Sequence, residues 1–547
     1  MQLARLLAYG FLTLAAFSAP VAAVEPGAPE RLISRVDAVG AAMQKQLSAK
    51  FRDTSNSEKE MRGALVEYYA DHGNEPIWID ENGLNAKALA VIEEFKRAES
   101  YGLRSSDYKV HLAETLKSAK GDKIERLSDA ELEMSRVVLT YASHARMGRP
   151  KVYGLSRNYD PTGDLPEYSE ILDNFAKADD PKPYLLGFHP KHPQFAALRK
   201  MLNGSNGGSE PKRHIHVSDG PVLNPGDRHR TVSQLRQRLD VPIPQGDGDA
   251  DLYDPALVQA VKDFQEQKGL TADGVVGPGT KTAMNRRPRN RNKAILINME
   301  RWRWLPHDLG EFHVKVNVPE AIVRVKDNGK TVLTERVVVG KTRYQTPVFS
   351  GKMDHIVFHP YWNVPNSIKI NELLPGLRGG GGGFFSSRPR ILRVYDLHVK
   401  YRGREINAGS VNWSRSNITQ YHFYQKPGGL NVLGSVKFMF PNKHDVYLHD
   451  TQEKFYFNRT YRAESHGCVR VQNPRRLAEV LLRKDRGWSS GQTGSHFAGG
   501  HNHRVNLKKH VPVHITYFTV WVDGKGNLRT YSDLYGHDNR MAAAMRL

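Results

Sequence analysis

Cys468 is the only cysteine in 547 residues, and it stands in the run Ser465-His466-Gly467-Cys468-Val469-Arg470, with His449 nineteen positions before it. A thiol attacks as its thiolate; free Cys titrates at about 8.5, and a neighbouring cation lowers that value. His449 can take the thiol proton as general base and return it as general acid. Arg470 can favour the thiolate or hold a substrate carboxylate. Gly467 permits a turn that other residues resist, and the N–H groups of Gly467 and Cys468 can form an oxyanion hole. This grouping points to acyl transfer through a covalent intermediate. Two other chemistries compete. His444, His449, His466 and Cys468 offer zinc N and S ligands, but without the paired C-x-x-C or H-x-x-x-H spacing. An inert core thiol is the second, although it does not need two His and an Arg beside it.

The surrounding residues predict the elements that would position this chemistry. "VYLHD" (446–450) reads as a strand with His449 near its end, "SHGC" as a turn, and "NPRRLAEVLLRK" (473–484) as a helix with Asn473 as its cap. From about 293 the pattern turns to strands: apolar and polar residues alternate through "FHVKVNVPEAIVRVKDNGKTVLTERVVVGK", with "DNGK" at 327–330 as a hairpin turn. More strands follow near the C-terminus, turning at "DGKGN". Residues 365–440 look irregular and carry "RGGGGGFF" at 378–385; such a glycine run loses much entropy on ordering, so the segment reads as a mobile lid-like insertion.

Upstream, residues 30–203 read as a helical scaffold, with helices expected at 59–71, 86–98, 167–177 and 193–203. In "SDAELEMSRVVLTYASHARMGRP", Ser128 and Glu131 look like a capping box, and Gly148 and Pro150 end the segment. Residues 204–228, rich in Gly, Pro and Ser, read as a linker whose His214 and His216 are solvated loop residues. Residues 229–290 form a small three-helix domain: Asp254 caps, Pro255 starts and Gly269 stops a helix with Leu257, Val261 and Phe264 on one face. Its "FQ…GL…DG…G…T" run resembles the peptidoglycan-binding domain 1 family; the bland alternative is a three-helix spacer.

The chain carries a formal charge of +21. That favours anionic partners, among them wall polymer with free carboxylates. The basic residues are spread out, without the aromatic interleaving of a nucleic-acid platform, so nucleic acid is not expected. Residues 1–23 read as a signal peptide: Arg5, an apolar run from Leu6 to Phe17, and small residues ending at Ala23. The run is short for a membrane span, and export to the periplasm is expected, with a retained N-terminal anchor as the alternative.

"LHD" at 448–450 followed by "SHGCVR" at 465–470 resembles the catalytic signature of the L,D-transpeptidase (YkuD) family. "NMERWRWLP", "VVVGKTRYQTPVFS", "PYWNVPNSI" and "NVLGSVKFMFPN" extend the likeness to its large periplasmic YcbB type. The resemblance implies a multidomain α+β protein: helical scaffold, peptidoglycan-binding domain, and a β-rich catalytic domain (293–547) with a lid at 365–440. It implies Cys468 as nucleophile and His449 as base, with His466 shaping the pocket. Asp450 would orient His449 through its backbone carbonyl rather than its carboxylate. Gly467 and Cys468 would serve the oxyanion, and Ser465, Tyr447 and Arg470 would line the pocket. Trp362 and Asn363 would face substrate, although Trp362 reads equally well as a core aromatic. The lid departs from the pattern in its glycine-rich, basic character and in "YQK" at 424–426.

The implied reaction joins two tetrapeptide stems of peptidoglycan by a 3→3 crosslink through a cysteine thioester, without metal or cofactor. Carbapenem-type β-lactams would acylate the same thiol, and other cell-wall enzymes are conceivable partners. An L,D-carboxypeptidase or amidase using the same cysteine is the nearest alternative. A non-catalytic wall-binding scaffold is the alternative of another class.

Overall fold

The computed structural model describes residues 35–49, 56–80, 82–111, 122–149, 155–161, 163–204, 215–243, 249–268, 270–285, 290–378 and 389–547. The segment read as a signal peptide, His214, Gly269, Pro150 and the glycine run at 379–383 lie outside them. No helix among the described residues is long and apolar enough to cross a membrane.

The N-terminal part is helical, with helices at Asn56–Asp71, Ala86–Lys96, Lys123–Met147, Tyr168–Lys177 and Pro193–Gly204 close to the expected positions. The capping box is a correction. Asp122 caps the long helix through the Ile124 N–H, and Ser128 and Glu131 lie inside it, fully buried. Glu131 serves instead as an acceptor at the centre of the scaffold. It takes the Tyr69 hydroxyl at 2.6 Å and the N–H groups of Ile77 and Trp78 at 2.7 and 2.8 Å. Burial pushes its carboxyl up to about 7, against the pull of these bonds. Glu131→Leu leaves the buried N–H groups of Ile77 and Trp78 without an acceptor, while the Tyr69 hydroxyl keeps Ser135 Oγ, so it is expected to destabilise the protein by about 2–5 kcal/mol; denaturant unfolding at pH 7 measures this. Because the folded carboxyl titrates higher than the unfolded one, its contribution to stability is full below about pH 4.3 and fades as pH rises through about 7. The slope it creates is absent from the variant.

The small domain has helices Thr231–Leu239, Pro255–Gln267 and Pro278–Asn285 around its own core. Asp254 accepts from Leu257 N–H as expected, and Leu257, Val261 and Phe264 are buried. The motif residues staple a loop: Gln265 accepts the Gly274 N–H and donates to Asp273, each at 2.9 Å. The described end of the expected linker packs on this domain, through buried Val217 and the Leu223–Val276 bridge.

The β-rich region begins with a helix rather than a strand, Arg291–Arg303, capped by Asn290. "RNKAILINMERWR" carries apolar residues on all sides, so the helix is buried between domains. Its Arg303 binds Glu300 at 3.1 Å and the Tyr101 carbonyl of the scaffold at 2.6 Å. Eight strands follow: β1 (Phe312–Asn317), β2 (Ile322–Asp327), β3 (Lys330–Gly340), β4 (Val348–Phe358), β5 (Val436–Met439), β6 (Leu448–His449), β7 (Val469–Val471) and β8 (His503–Thr516). They pair in the order β1-β2-β3-β7-β6-β5-β4-β8, and β8 returns to β1, closing the sheet. The β2–β3 hairpin turns at Asn328 and Gly329, both with positive φ, as "DNGK" requires. The helix Pro474–Arg486 lays Leu477, Ala478, Leu481 and Leu482 on the sheet's core. Asn473 does not cap that helix; its amide donates to Glu335 at 2.8 Å.

The insertion at 365–440 is a second correction. Its described residues fold into an antiparallel sheet with Trp362–Asn363, of order Arg404–Glu405, His398–Tyr401, Tyr421–Gln425, Trp362–Asn363. A helical run, 366–378, covers it. Leu373, Leu392, Val399, Trp413 and Phe423 form a separate core, which the eye misses because these residues are scattered through polar sequence.

Candidate active site

Register brings the candidate residues onto one face. In the parallel pair β6–β7, Leu448 opposes Val469 and His449 opposes Arg470, while the Val469 N–H donates to the Tyr447 carbonyl at 3.1 Å. Alternation then puts Tyr447, His449, Cys468 and Arg470 together on the side opposite Leu448 and Val469, which are fully buried in the core.

Cys468 leaves a turn that its neighbours hold rigidly. Ser465 Oγ donates to the Cys468 carbonyl at 2.6 Å and accepts the Gly467 N–H at 3.2 Å. Gly467 sits at φ +110°, where a side chain would be strained. Its carbonyl accepts from Thr346 Oγ1 at 2.8 Å, and Thr346 Oγ1 in turn accepts the Gly340 N–H at 2.8 Å. The Gly467 N–H is therefore engaged within the turn, not directed to an oxyanion, which differs from the expectation. The serine signals that expectation missed are the two bonds it makes across the turn.

The Cys468 thiol is part-exposed by residue yet enclosed around its sulfur. Burial pushes it up to about 11, opposed by the Tyr447 N–H, the Arg470 charge and the Tyr447 hydroxyl. His449 is buried, and desolvation, aided by Arg470, lowers it to about 3. Its Nδ1–H donates to the Asp450 carbonyl, which leaves Nε2 as the acceptor. Asp450 meets His449 through its backbone carbonyl. The carboxylate points away and binds Ser435 N–H at 2.9 Å, Ser435 Oγ at 2.8 Å, Thr451 N–H at 2.7 Å and Lys454 Nζ at 2.6 Å. Burial thus favours the neutral form of both the thiol and the imidazole near pH 7. Iodoacetamide should alkylate Cys468 at a rate still rising tenfold per unit through pH 10, because only the thiolate reacts. A plateau already reached near pH 7 would instead mean a thiolate–imidazolium pair.

Arg470 is held by Glu453 at 2.5 Å. His466 turns from the thiol to the lid: its Nε2 meets Glu372 at 2.5 Å, and its ring lies 4.5 Å from that of Tyr344. Glu372 belongs to a π-helical turn, Lys369–Leu373, an irregularity that recurs at functional sites. Of the four ligands in the zinc reading, His444 faces Asp160 at 3.6 Å and His466 faces Glu372. Trp362 packs against the lid core, and Asn363 Oδ1 meets His422 at 3.0 Å. Lys437 was not singled out from sequence. It opposes His449 across β5–β6, and its Nζ lies 5.6 Å from the Tyr447 ring centroid. The period-two alternation of "SVKFMF" puts it on that face, but only the β5–β6 register gives the face a meaning.

A thiol that shares a sheet face with a buried imidazole whose Nε2 accepts is equipped for nucleophilic acyl transfer. Residues 311–495 match the L,D-transpeptidase catalytic domain family (YkuD), 230–284 a "Putative peptidoglycan binding domain" family and 63–202 a scaffold domain family. The chain carries a YkuD-family L,D-transpeptidase catalytic domain together with a peptidoglycan-binding domain. A "Putative L,D-transpeptidase" of Haemophilus influenzae is 31% identical over 259 residues, 47% of this chain and 50% of the relative. The match thus spans about half the length of that curated relative. An L,D-transpeptidase from Mycobacterium smegmatis aligns over 38% of this chain and 58% of its own, at 11% identity and a TM-score of 0.18. One from Xylanimonas cellulosilytica aligns over 55% and 99%, at 18% and 0.17. Overlaps this small carry no argument.

Proposed function

We propose that the protein is a cysteine-dependent L,D-transpeptidase that forms 3→3 crosslinks between peptidoglycan stem peptides. The observation that carries this reading is that Cys468, immediately before β7, falls on the same sheet face as His449 of the adjacent parallel strand β6, in the domain matched by the L,D-transpeptidase family. A peptidoglycan-binding domain in the same chain supports the polymer as substrate. The basic surface suits a carboxylate-bearing wall. The signal-like N-terminus supports action outside the cytoplasm, in the periplasm.

In the reaction, His449 Nε2 takes the Cys468 proton as sulfur attacks the carbonyl at the L-centre of the third residue of a donor tetrapeptide. The Cys468 N–H is the local donor to the oxyanion, since the Gly467 N–H is occupied. The C–N bond breaks, and His449 returns the proton to the departing D-Ala amine. The side-chain amine of a second stem's third residue then attacks the thioester and loses a proton to His449. Sulfur leaves and regains that proton. Concerted proton loss fits a thiol that is neutral at rest. A carbapenem presents an activated carbonyl to the same sulfur and would remain as an acyl adduct.

Mass spectrometry of products from purified tetrapeptide muropeptides tests the reading. Crosslinked dimer plus free D-Ala is expected. Tripeptide alone would mean that water resolves the thioester, making the protein an L,D-carboxypeptidase.

A further inference from the structure

A row of side chains crosses the outer face of the catalytic sheet in continuous register: Arg504 on β8, Val357 on β4, Lys437 on β5, His449 on β6 and Arg470 on β7. Partners in register present their side chains to the same face. Three of the five are cations, and the nucleophile sits in the adjoining row, one strand beyond Tyr447. Like charges gathered on one sheet face disfavour the fold unless something answers them. For Arg470 the answer is Glu453 at 2.5 Å. His355, in the neighbouring row, has Asp354 at 2.6 Å. Arg504 donates to the neutral Asn506 side chain. Lys437, between them, makes neither an ion pair nor a side-chain hydrogen bond among the described residues. Its Nζ lies 5.6 Å from the ring centroid of Tyr447, whose hydroxyl reaches the Cys468 sulfur. Lys437 is only partly exposed, so its charge is poorly shared with water and is available to a bound anion.

We propose that Lys437 is a specificity residue that binds a carboxylate of the donor stem next to the scissile bond. The inference rests on the transpeptidase reading given above. With meso-diaminopimelate as the third stem residue, the free carboxylates near the attacked carbonyl include the terminal one of the leaving D-Ala and the one on the third residue's side chain. Either would find an unpaired ammonium beside the nucleophile, in a setting where charge-assisted contacts are strong. Lys437 touches neither the reacting carbonyl nor the sulfur in this role. It selects and seats the donor, so its loss reads in KM more than in kcat.

The test uses the full-length protein, three synthetic tetrapeptide donors and one acceptor. One donor has both carboxylates free, one has the side-chain carboxyl amidated, and one has the C-terminal carboxyl amidated. In the wild type, one of the two amidations is expected to lower kcat/KM about tenfold or more, mainly through KM. In Lys437→Met that donor and the free-acid donor should become equivalent, and Lys437→Arg should restore the preference. The amidation that matters names the carboxylate. Three results would overturn the proposal: an unchanged carboxylate preference in Lys437→Met, an equal fall for all donors through kcat, or a displaced pH profile of Cys468 alkylation. The last would assign Lys437 to the thiolate instead. Wild-type protein that crosslinks no donor would overturn the transpeptidase reading as well, whereas normal crosslinking with preference unchanged in the variant removes only the role of Lys437.

Discussion

Cys468→Ala is expected to abolish crosslinked dimer formation, at least about 10⁴-fold below wild type, because no other group on this face can form the acyl intermediate. Tyr447 and Lys437 share the face, but one is a phenol raised well above its ordinary value by burial and the other is rooted on β5, two strands from Cys468. The loss should be chemical rather than structural. The sulfur's nearest backbone acceptor is the Asp445 carbonyl at 3.9 Å, and the turn is held by Ser465 and Thr346, neither of which bonds to the thiol. The variant leaves the Tyr447 N–H and hydroxyl without the sulfur, so it should lose about 1 kcal/mol of stability while still folding and binding peptidoglycan sacculi through residues 230–284. Product assay, unfolding and sedimentation with sacculi separate these effects in one preparation.

Gly434→Ala should cost turnover about 10²- to 10³-fold, although residue 434 touches no substrate. Gly434 sits at φ +59°, and a Cβ there would fall 2.4 Å from the Asp450 carboxylate. That carboxylate cannot yield cheaply, because Ser435, Thr451 and Lys454 hold it through four hydrogen bonds. Moving it moves the backbone whose carbonyl fixes the Nδ1–H of His449, and with it the direction of Nε2. The expected loss is bounded by what a positioned general base supplies, about 10²- to 10⁴-fold. Gly429→Ala is the control: nothing lies within 4 Å of its Cβ, so activity should hold. The rate of carbapenem acylation compares the two variants without an acceptor.

Much of this arrangement was legible before any coordinates. Cys468 and His449 stood out by type and spacing, and "DNGK", Asp254 and the helices of the scaffold carry local signals that tertiary context did not override. Three features were not legible, each for a physical reason. Ser128 and Glu131 mimic a capping box, yet Asp122 starts the helix earlier and Glu131 is needed as a buried acceptor for Tyr69 and the 77–78 backbone. The lid looked structureless because its strands are only two to five residues long and its core side chains are dispersed. Lys437 carries no motif of its own; its neighbours on the face, Cys468 and Arg470, are some thirty residues away and meet it only through register. The turn also redirected one expectation. A glycine chosen for its positive φ spends its N–H on Ser465, which leaves the amide of Cys468 for the oxyanion.

The central claim is that Cys468 forms an acyl-enzyme. It is tested most directly by the intact mass of the wild-type protein after incubation with a carbapenem, followed by peptide mapping. One added carbapenem per chain is expected, located on the peptide holding Cys468 and absent from Cys468→Ala. Unmodified protein under those conditions, or an adduct on another residue that persists in Cys468→Ala, would contradict it.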